Sequence, residues 1–143
     1  MIRTRILGIM DFPTGVDVAL LLVRLVVGIA FMYHGYGKIQ HPMTWMGPDS
    51  AYPGVFQAMG AISEFIGGAA LALGFLTRIA AFGIICTMSV AVYLHLVILG
   101  DPFVNATGGG SYELALVYLV ISLLFLFAGP GRFSLDKLIF WKK

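Results

Sequence analysis

Four long apolar runs are the feature that most constrains what this chain can fold into. They cover about residues 16–38, 55–75, 79–99 and 111–128, and glycine, proline or polar residues separate them. A helix needs about 20 apolar residues to cross the hydrocarbon core of a membrane. Only 11% of the residues are charged, against about 25% in soluble domains. We therefore predict an all-α membrane protein, a bundle of four transmembrane helices in one domain covering residues 1–143.

The distribution of cations predicts the orientation of this bundle. Successive spans alternate in direction, so the termini and the short connection between the second and third runs lie at one end. That end carries seven Lys and Arg residues, whereas the two longer connections carry only Lys38. By the positive-inside rule, both termini are then cytoplasmic. The seven cations are Arg3, Arg5, Arg78, Arg132, Lys137, Lys142 and Lys143.

The C-terminal segment, residues 134–143, has the pattern of a short amphipathic helix. Ser134 is placed as an N-cap, and apolar residues alternate with lysines at helical spacing after it. Such a helix is expected to lie in the membrane interface rather than to cross the bilayer.

Two faces with glycines and charges are predicted to pack together in the first half of the chain. Arginine or lysine at membrane depth costs about 2.5–3.5 kcal/mol on insertion scales, so each ionisable residue in a span is a functional candidate. Small residues allow helix backbones to approach closely. The first face carries Arg24, Gly28, Phe31, Gly35 and Lys38, and the second carries Gly60, Glu64, Gly67, Gly68 and Leu71.

The depths of Arg24 and Glu64 predict an ion pair between them. Arg24 lies about 12 Å and Glu64 about 16 Å from the end that carries the termini, at a helical rise of 1.5 Å per residue, and an arginine side chain can span the difference. Such a pair can fix the register of two helices, or it can tune a site and relay protons. The sequence leaves both roles open.

A second polar group is expected near the outer ends of the spans. His34 and Lys38 end the first run, His95 lies near the end of the third, and Glu113 begins the fourth, with Tyr36 and Tyr112 nearby. Histidine, lysine, carboxylate and phenol groups at one depth suit hydrogen bonding to quinone carbonyls and proton transfer, and also suit a small anion or a polar head group.

Each of these residues also has a simpler interpretation. The tyrosines can form an aromatic belt at the interface, and Lys38 can extend to the lipid head groups. Glu113 can complement the dipole of the fourth helix. His34 and His95 could ligate a b-type haem, which we do not expect from two histidines alone.

Charge, cysteine count and motif spacing argue against other classes. A net charge of +2 provides no broad basic surface, so a nucleic-acid partner is not expected. Cys86 is the only cysteine, which excludes an intrachain disulfide. The spacing of histidines and carboxylates nominates no metal site, and no motif assigns a catalytic nucleophile.

Four segments in order resemble the DoxX family of small membrane proteins. They are RLVVGIAFMYHGYGK (24–38), EFIGGAALALGFLTRIAA (64–81), GGGSYE (108–113) and GPGRFSLD (129–136). The resemblance implies a four-helix bundle in the bacterial or archaeal cytoplasmic membrane and a setting linked to quinones. Matching polar positions are Arg24, His34, Lys38, Glu64 and Glu113.

Three functional hypotheses follow. The first is an integral subunit of a quinone-linked oxidoreductase or respiratory complex, with quinone as the expected cofactor and the electron source on a partner. The second is a non-catalytic structural, accessory or assembly subunit, and the third is a carrier or channel for a small solute or ion. The expected partners are the lipid bilayer, other membrane or peripheral redox subunits, and further copies of the chain.

Overall fold

The computed structural model describes residues 10–141, which form helices joined by loops, with no strand in that range. The helices are α1 (Thr14–Gln40), α2 (Gly54–Leu73), α3 (Thr77–Tyr93) with a π-helical turn (Leu94–Ile98), α4 (Glu113–Ala128) and the short α5 (Leu135–Phe140). Helices α1 and α2, and α3 together with its π turn, are long and apolar enough to cross a membrane. Helix α4 is apolar but shorter, with 16 residues.

The helix ends differ from the sequence expectations for local reasons. Helix α2 ends at Leu73 because Gly74 takes a left-handed conformation, with φ of 67°. Helix α3 begins at Thr77, two residues before the predicted start, because the carboxylate of Asp136 accepts hydrogen bonds from the first backbone N–H groups. The π turn that follows Tyr93 was not anticipated from the sequence.

Helices α1 and α2 pack with their backbones in contact, which confirms that the two glycine-bearing faces meet. A Cβ atom added to Gly28 would lie 2.6 Å from the backbone nitrogen of Ala72, and one added to Gly35 would lie 2.5 Å from that of Phe65. Because the partner number falls as the α1 number rises, the two helices are antiparallel.

Two glycines of the predicted α2 face lie elsewhere. Gly67 and Gly60 face α3, where added Cβ atoms would meet Ile84 Cγ1 at 3.7 Å and Thr87 Cγ2 at 3.9 Å. These are ordinary van der Waals distances, so α3 packs less closely on α2 than α1 does. Helix α2 therefore has a tight face toward α1 and a looser face toward α3.

The buried core is narrow, and large apolar side chains cover the outside of the bundle. Val26 on α1 and Phe127 on α4 are both 68% exposed. Helices that are apolar around their whole circumference are suited to a lipid environment. The core itself consists of Leu20, Val27, Phe31, Leu71, Ala81, Ile84, Met88 and Phe125.

The two ends of the bundle have different construction. We call the start of α1, the α2–α3 connection and residues 129–141 the termini end, and residues 41–53 and 99–112 with the adjoining helix ends the loop end. At the termini end, Ser134 accepts a hydrogen bond from the backbone N–H of Lys137 at 3.3 Å, which confirms Ser134 as the N-cap of α5. Arg3, Arg5, Lys142 and Lys143, used above for orientation, lie outside the described residues.

Candidate functional site

Arg24 is held at the termini end by backbone carbonyl groups. Its residue is only 1% exposed. The guanidinium donates hydrogen bonds to the carbonyl oxygens of Ala72, at 3.3 Å, and of Pro130 and Phe133. The predicted Arg24–Glu64 ion pair is therefore wrong, because Arg24 binds the chain segments that close the termini end and Glu64 pairs with another residue.

The direction of side chains on a helix explains this correction. Every Cα–Cβ bond in an α-helix tilts toward the helix N-terminus. Helix α1 begins at the termini end, so Arg24 extends toward that end. The antiparallel α2 begins at the loop end, so Glu64 extends the opposite way. A depth comparison of Cα positions cannot account for this divergence.

Two buried aspartates complete the termini end. Asp136 accepts hydrogen bonds from the backbone N–H groups of Leu76, at 2.7 Å, and Thr77, at 3.0 Å. Asp17 accepts one from the backbone N–H of Arg132 at 2.8 Å and lies 3.4 Å from its guanidinium Nε. These contacts attach residues 129–140 to the helices. Sequence reasoning did not single out either aspartate.

Lys38 is the partner of Glu64 at the loop end. Its Nζ lies 2.7 Å from Oε1 and 2.6 Å from Oε2 of the carboxylate, and the Glu64 side chain is only 4% exposed. Both side chains tilt toward the start of their own helices, so on antiparallel neighbours they converge. The ammonium group also lies 4.5 Å from the centroid of the Trp45 ring. An ammonium group has three N–H donors, and the carboxylate of Glu64 accepts from two of them.

A cavity of about 220 Å³ opens beside this ion pair. It brings together four of the predicted site residues, His34, Lys38, Glu64 and His95. Ligand pockets for drug-sized molecules measure roughly 300–1,000 Å³, so this cavity is smaller than a typical drug-sized pocket. The rest of its wall consists of Phe31, Met88, Ala91, Ser111, Leu114, Ala115 and Tyr118.

His95 lies in the π turn and is oriented by a carboxylate. Its Nδ1 lies 2.6 Å from Oδ2 of Asp101, and the backbone N–H of Asp101 donates to the His95 carbonyl oxygen at 2.8 Å. A carboxylate at Nδ1 favours the tautomer with the proton there, which leaves Nε2 for a ligand. A Cβ added to Gly110 would lie 2.3 Å from Asp101 Oδ2, so a side chain at this position of the GGGSYE segment would displace the carboxylate.

Three predicted site residues lie outside the cavity. Tyr36 is 61% exposed and packs near the ring of Phe65. Tyr112 packs on Phe103, with ring centroids 5.4 Å apart. Glu113 is exposed at the start of α4. Within residues 10–141, no three His, Cys, Asp or Glu side chains group as a metal site would require.

Sequence reasoning missed a buried glutamine that holds the first long loop. Gln57 accepts a hydrogen bond from the backbone N–H of Met46 at 3.0 Å and donates one to the Tyr52 carbonyl oxygen at 2.8 Å. The backbone carbonyl oxygen of Gln57 accepts a hydrogen bond from the indole N–H of Trp45 at 2.9 Å. Gln57 precedes Glu64 by seven residues, or about two turns, so the face that nominated Glu64 also contained the signal for Gln57.

Apolar helices with a partly buried ion pair and two histidines at one end define a small all-helical integral membrane protein with a polar cavity. Residues 19–96 match the DoxX family model. This chain belongs to the DoxX family.

Two of the three relatives described below are named as membrane proteins. The chain is 34% identical to an uncharacterized protein of Haemophilus influenzae, covering 86% of this chain and 92% of that protein. It is 33% identical to the inner membrane protein YqjF of Escherichia coli, covering 86% and 93%. It is 29% identical to the uncharacterized membrane protein Rv3486 of Mycobacterium tuberculosis, covering 83% and 80%. No solved structure gives a significant match.

Proposed function

We propose that this chain is an integral subunit of a quinone-linked redox complex and that the loop-end cavity binds the quinone head group. The observation that carries the proposal is the partly buried Lys38–Glu64 pair in one cavity with His34 and His95. Charged groups in a membrane span are costly, and these four are placed around a volume that suits one ring.

The chain's residues have distinct roles in this proposal. Lys38 donates its third N–H to an oxygen of the ring, and His95, oriented by Asp101, accepts through Nε2 a hydrogen bond from the hydroxyl of the reduced, quinol form. His34 lines the same wall and provides a second imidazole. Glu64 exchanges protons with the head group. A bound quinone would supply two-electron chemistry, with a redox centre on a partner subunit as the electron source.

The positive-inside rule gives the orientation that we propose for this subunit. The termini end lies in the cytoplasm, helix α5 lies in the cytoplasmic interface, and the cavity lies in the outer half of a bacterial or archaeal cytoplasmic membrane. In cells that express the Cys86→Ala variant, a cysteine introduced at Ser50 is expected to react with a membrane-impermeant maleimide while the cells are intact. A cysteine at Leu138 is expected to react only after the membrane is broken. The reverse pattern would contradict the orientation.

Quinone binding can be measured with the protein's own fluorescence. The chain has two tryptophans, so Trp141→Phe leaves Trp45, which lies against Lys38, as the only one. Titration of this purified variant with a quinone is expected to quench the fluorescence saturably. When His34→Ala is combined with Trp141→Phe, the quinone affinity is expected to fall about tenfold, which is the effect of losing one net hydrogen bond of roughly 1.4 kcal/mol. His41→Ala is the matched control, because His41 is exposed and lines the neighbouring cavity of about 730 Å³, which also contacts His34 and Trp45, but not the 220 Å³ cavity.

Two outcomes of this titration would reject the proposal. One is an absence of saturable quenching in the protein that has native His34. The other is equal affinity in the His34→Ala and His41→Ala variants. Glu64→Gln with Glu113→Gln as its exposed control provides the same comparison for the carboxylate.

The structural hypothesis has its own support at the termini end. Arg24 and Asp136 bind backbone groups there and fasten residues 129–140 to the bundle. The carrier hypothesis has less support, because buried Val27, Phe31 and Leu71 separate the polar groups of the two ends. Zero solute uptake by proteoliposomes would remove the carrier hypothesis.

A further inference from the structure

An apolar groove between α2 and α3 lies next to the polar cavity. Its volume is about 450 Å³. Its wall includes the apolar side chains of Phe56, Met59 and Val90, which are 66%, 61% and 54% exposed. The groove therefore opens on the outer surface of two helices that are long enough to cross a membrane.

The loose packing of α2 on α3 creates this space. Gly60 lies in the groove wall and has no side chain, and an added Cβ would approach only Thr87, at 3.9 Å. Cys86 lies in the same wall and is exposed. The volume thus runs along the α2–α3 seam from the middle of α3 to the loop that carries Trp45 and Tyr52.

The groove and the polar cavity share a boundary. Lys38, Glu64 and Ala91 line both of them. A molecule that contacts the ion pair with a polar end can therefore extend an apolar part along the groove. An amphiphile would fit this arrangement, with its apolar part in the lipid-facing groove and its polar end at the charge pair.

We propose that this groove holds the isoprenoid tail of the quinone whose head group lies in the polar cavity. The inference rests on the proposed quinone binding, and it adds the entry side of the ligand. The quinone enters from the bilayer between α2 and α3, with its tail along Phe56, Met59 and Cys86. Its ring then passes the Lys38–Glu64 pair.

The native cysteine provides a readout for the tail. Trp45 lies against Lys38 and also lines the groove, so quenching by a quinone without a tail is the readout for the head group. In Trp141→Phe protein, the rate of Cys86 alkylation by N-ethylmaleimide is measured with two quinones. Both have fully substituted rings, so neither adds to thiols; one carries a decyl tail and the other a methyl group in its place. At ten times the dissociation constant, a blocking ligand slows alkylation roughly tenfold by mass action. We expect both quinones to quench Trp45 and only the tailed one to protect Cys86.

A second cysteine position controls for general effects on the membrane or detergent. In a Cys86→Ala background, Val120→Cys places a thiol on the exposed surface of α4, near the middle of that helix. Its alkylation is expected to proceed at the same rate with either quinone. Equal slowing at both positions would overturn the inference, because it would show a bulk effect of the tail.

Filling the groove tests the same inference by substitution. Gly60→Phe is expected to remove the protection of Cys86 while the tailless quinone still quenches Trp45. Ile62→Phe places the same side chain at an exposed position of α2 that does not line the groove and is expected to leave protection intact. If Gly60→Phe does not fold, Val90→Trp at the groove rim replaces it.

The outcomes separate the two proposals. If both quinones quench Trp45 and neither protects Cys86, the tail site is overturned and the proposed quinone binding still stands. No quenching by either overturns the proposed function and the tail site together. A slow Cys86 reaction that no quinone changes indicates that a lipid chain or a partner helix occupies the groove, and it also overturns the tail site.

Discussion

Replacing Lys38 by methionine isolates the charge of the loop-end ion pair. Methionine keeps most of the length and apolar stem of lysine but removes the ammonium group. Glu64, whose side chain is 4% exposed, would then lose both hydrogen bonds from Lys38 and remain as a buried carboxylate. The substitution therefore measures what the pair contributes when only one partner is removed.

The geometry sets the expected magnitude. At the observed 2.6 Å, the Coulomb attraction is about 6 kcal/mol with an effective dielectric constant of about 20. Desolvation of the two charges offsets part of this attraction. Removing one partner of a buried pair typically costs about 3–5 kcal/mol. The Lys38 side chain is 27% exposed, so we expect a loss at the lower end, about 3 kcal/mol.

The double variant Lys38→Met/Glu64→Leu separates stability from function. Replacing a buried ion pair by apolar residues of similar volume is often neutral or stabilising, so the double variant is expected to unfold within about 1 kcal/mol of the native protein. Quinone affinity is expected to stay low in it, because the donor and the carboxylate are both gone. Unfolding is followed by helical circular dichroism in mixed micelles with increasing sodium dodecyl sulfate, and binding by Trp45 fluorescence.

Three results would refute this reasoning. A loss below about 1 kcal/mol for Lys38→Met would show that water already screens the pair, as at exposed sites. A double variant as unstable as the sum of the single losses would show that the two side chains act independently. Native quinone affinity in a stable double variant would assign the pair to structure alone. Glu113→Gln, an exposed charge, is the control and is expected to stay within about 0.5 kcal/mol.

Two further predictions concern the scaffold, measured by the same unfolding assay. Gly28→Ala is expected to destabilise the protein by about 1–3 kcal/mol through overpacking, because the new Cβ would lie 2.6 Å from backbone atoms of α2. The control Gly37→Ala has nothing within 4 Å of its new Cβ and is expected to be neutral or slightly stabilising. Equal effects of the two substitutions would contradict the close approach of α1 and α2. Asp136→Ala is expected to cost at least about 3 kcal/mol, since charged hydrogen bonds contribute about 1.5–3 kcal/mol each and two backbone N–H groups lose their acceptor. Retained stability in Asp136→Ala would show that water replaces the carboxylate.

Periodicity and length were sufficient to predict the helices and the α1–α2 interface. Gly28 and Gly35 recur at the spacing of one helix face, and the structure places both against α2. The π turn after Tyr93 could not be predicted in this way, because it lies inside one continuous apolar run, Thr77–Ile98, and does not interrupt its pattern.

The site was predictable in composition but not in pairing. His34, Lys38, Glu64 and His95 were nominated as costly polar groups in apolar spans, and they line one cavity. The partner of Glu64 was not predictable from Cα depth alone, since two candidate cations lie on the same face of α1 and only the tilt of the side chains separates them. Asp101 lies in a loop, where no periodicity identifies a buried or oriented carboxylate.

The chemistry of the partners distinguishes the two polar ends of the bundle. Arg24 and Asp136 bind backbone carbonyl and N–H groups, which cannot titrate and which move only if the chain itself moves. The loop end pairs side chains with side chains, Lys38 with Glu64 and His95 with Asp101, and side chains can change partners by rotamer changes without moving the backbone. A structural role therefore explains the termini end completely. At the loop end it leaves unexplained why costly charges surround a cavity instead of a packed core, and the proposed ligand binding would account for that arrangement.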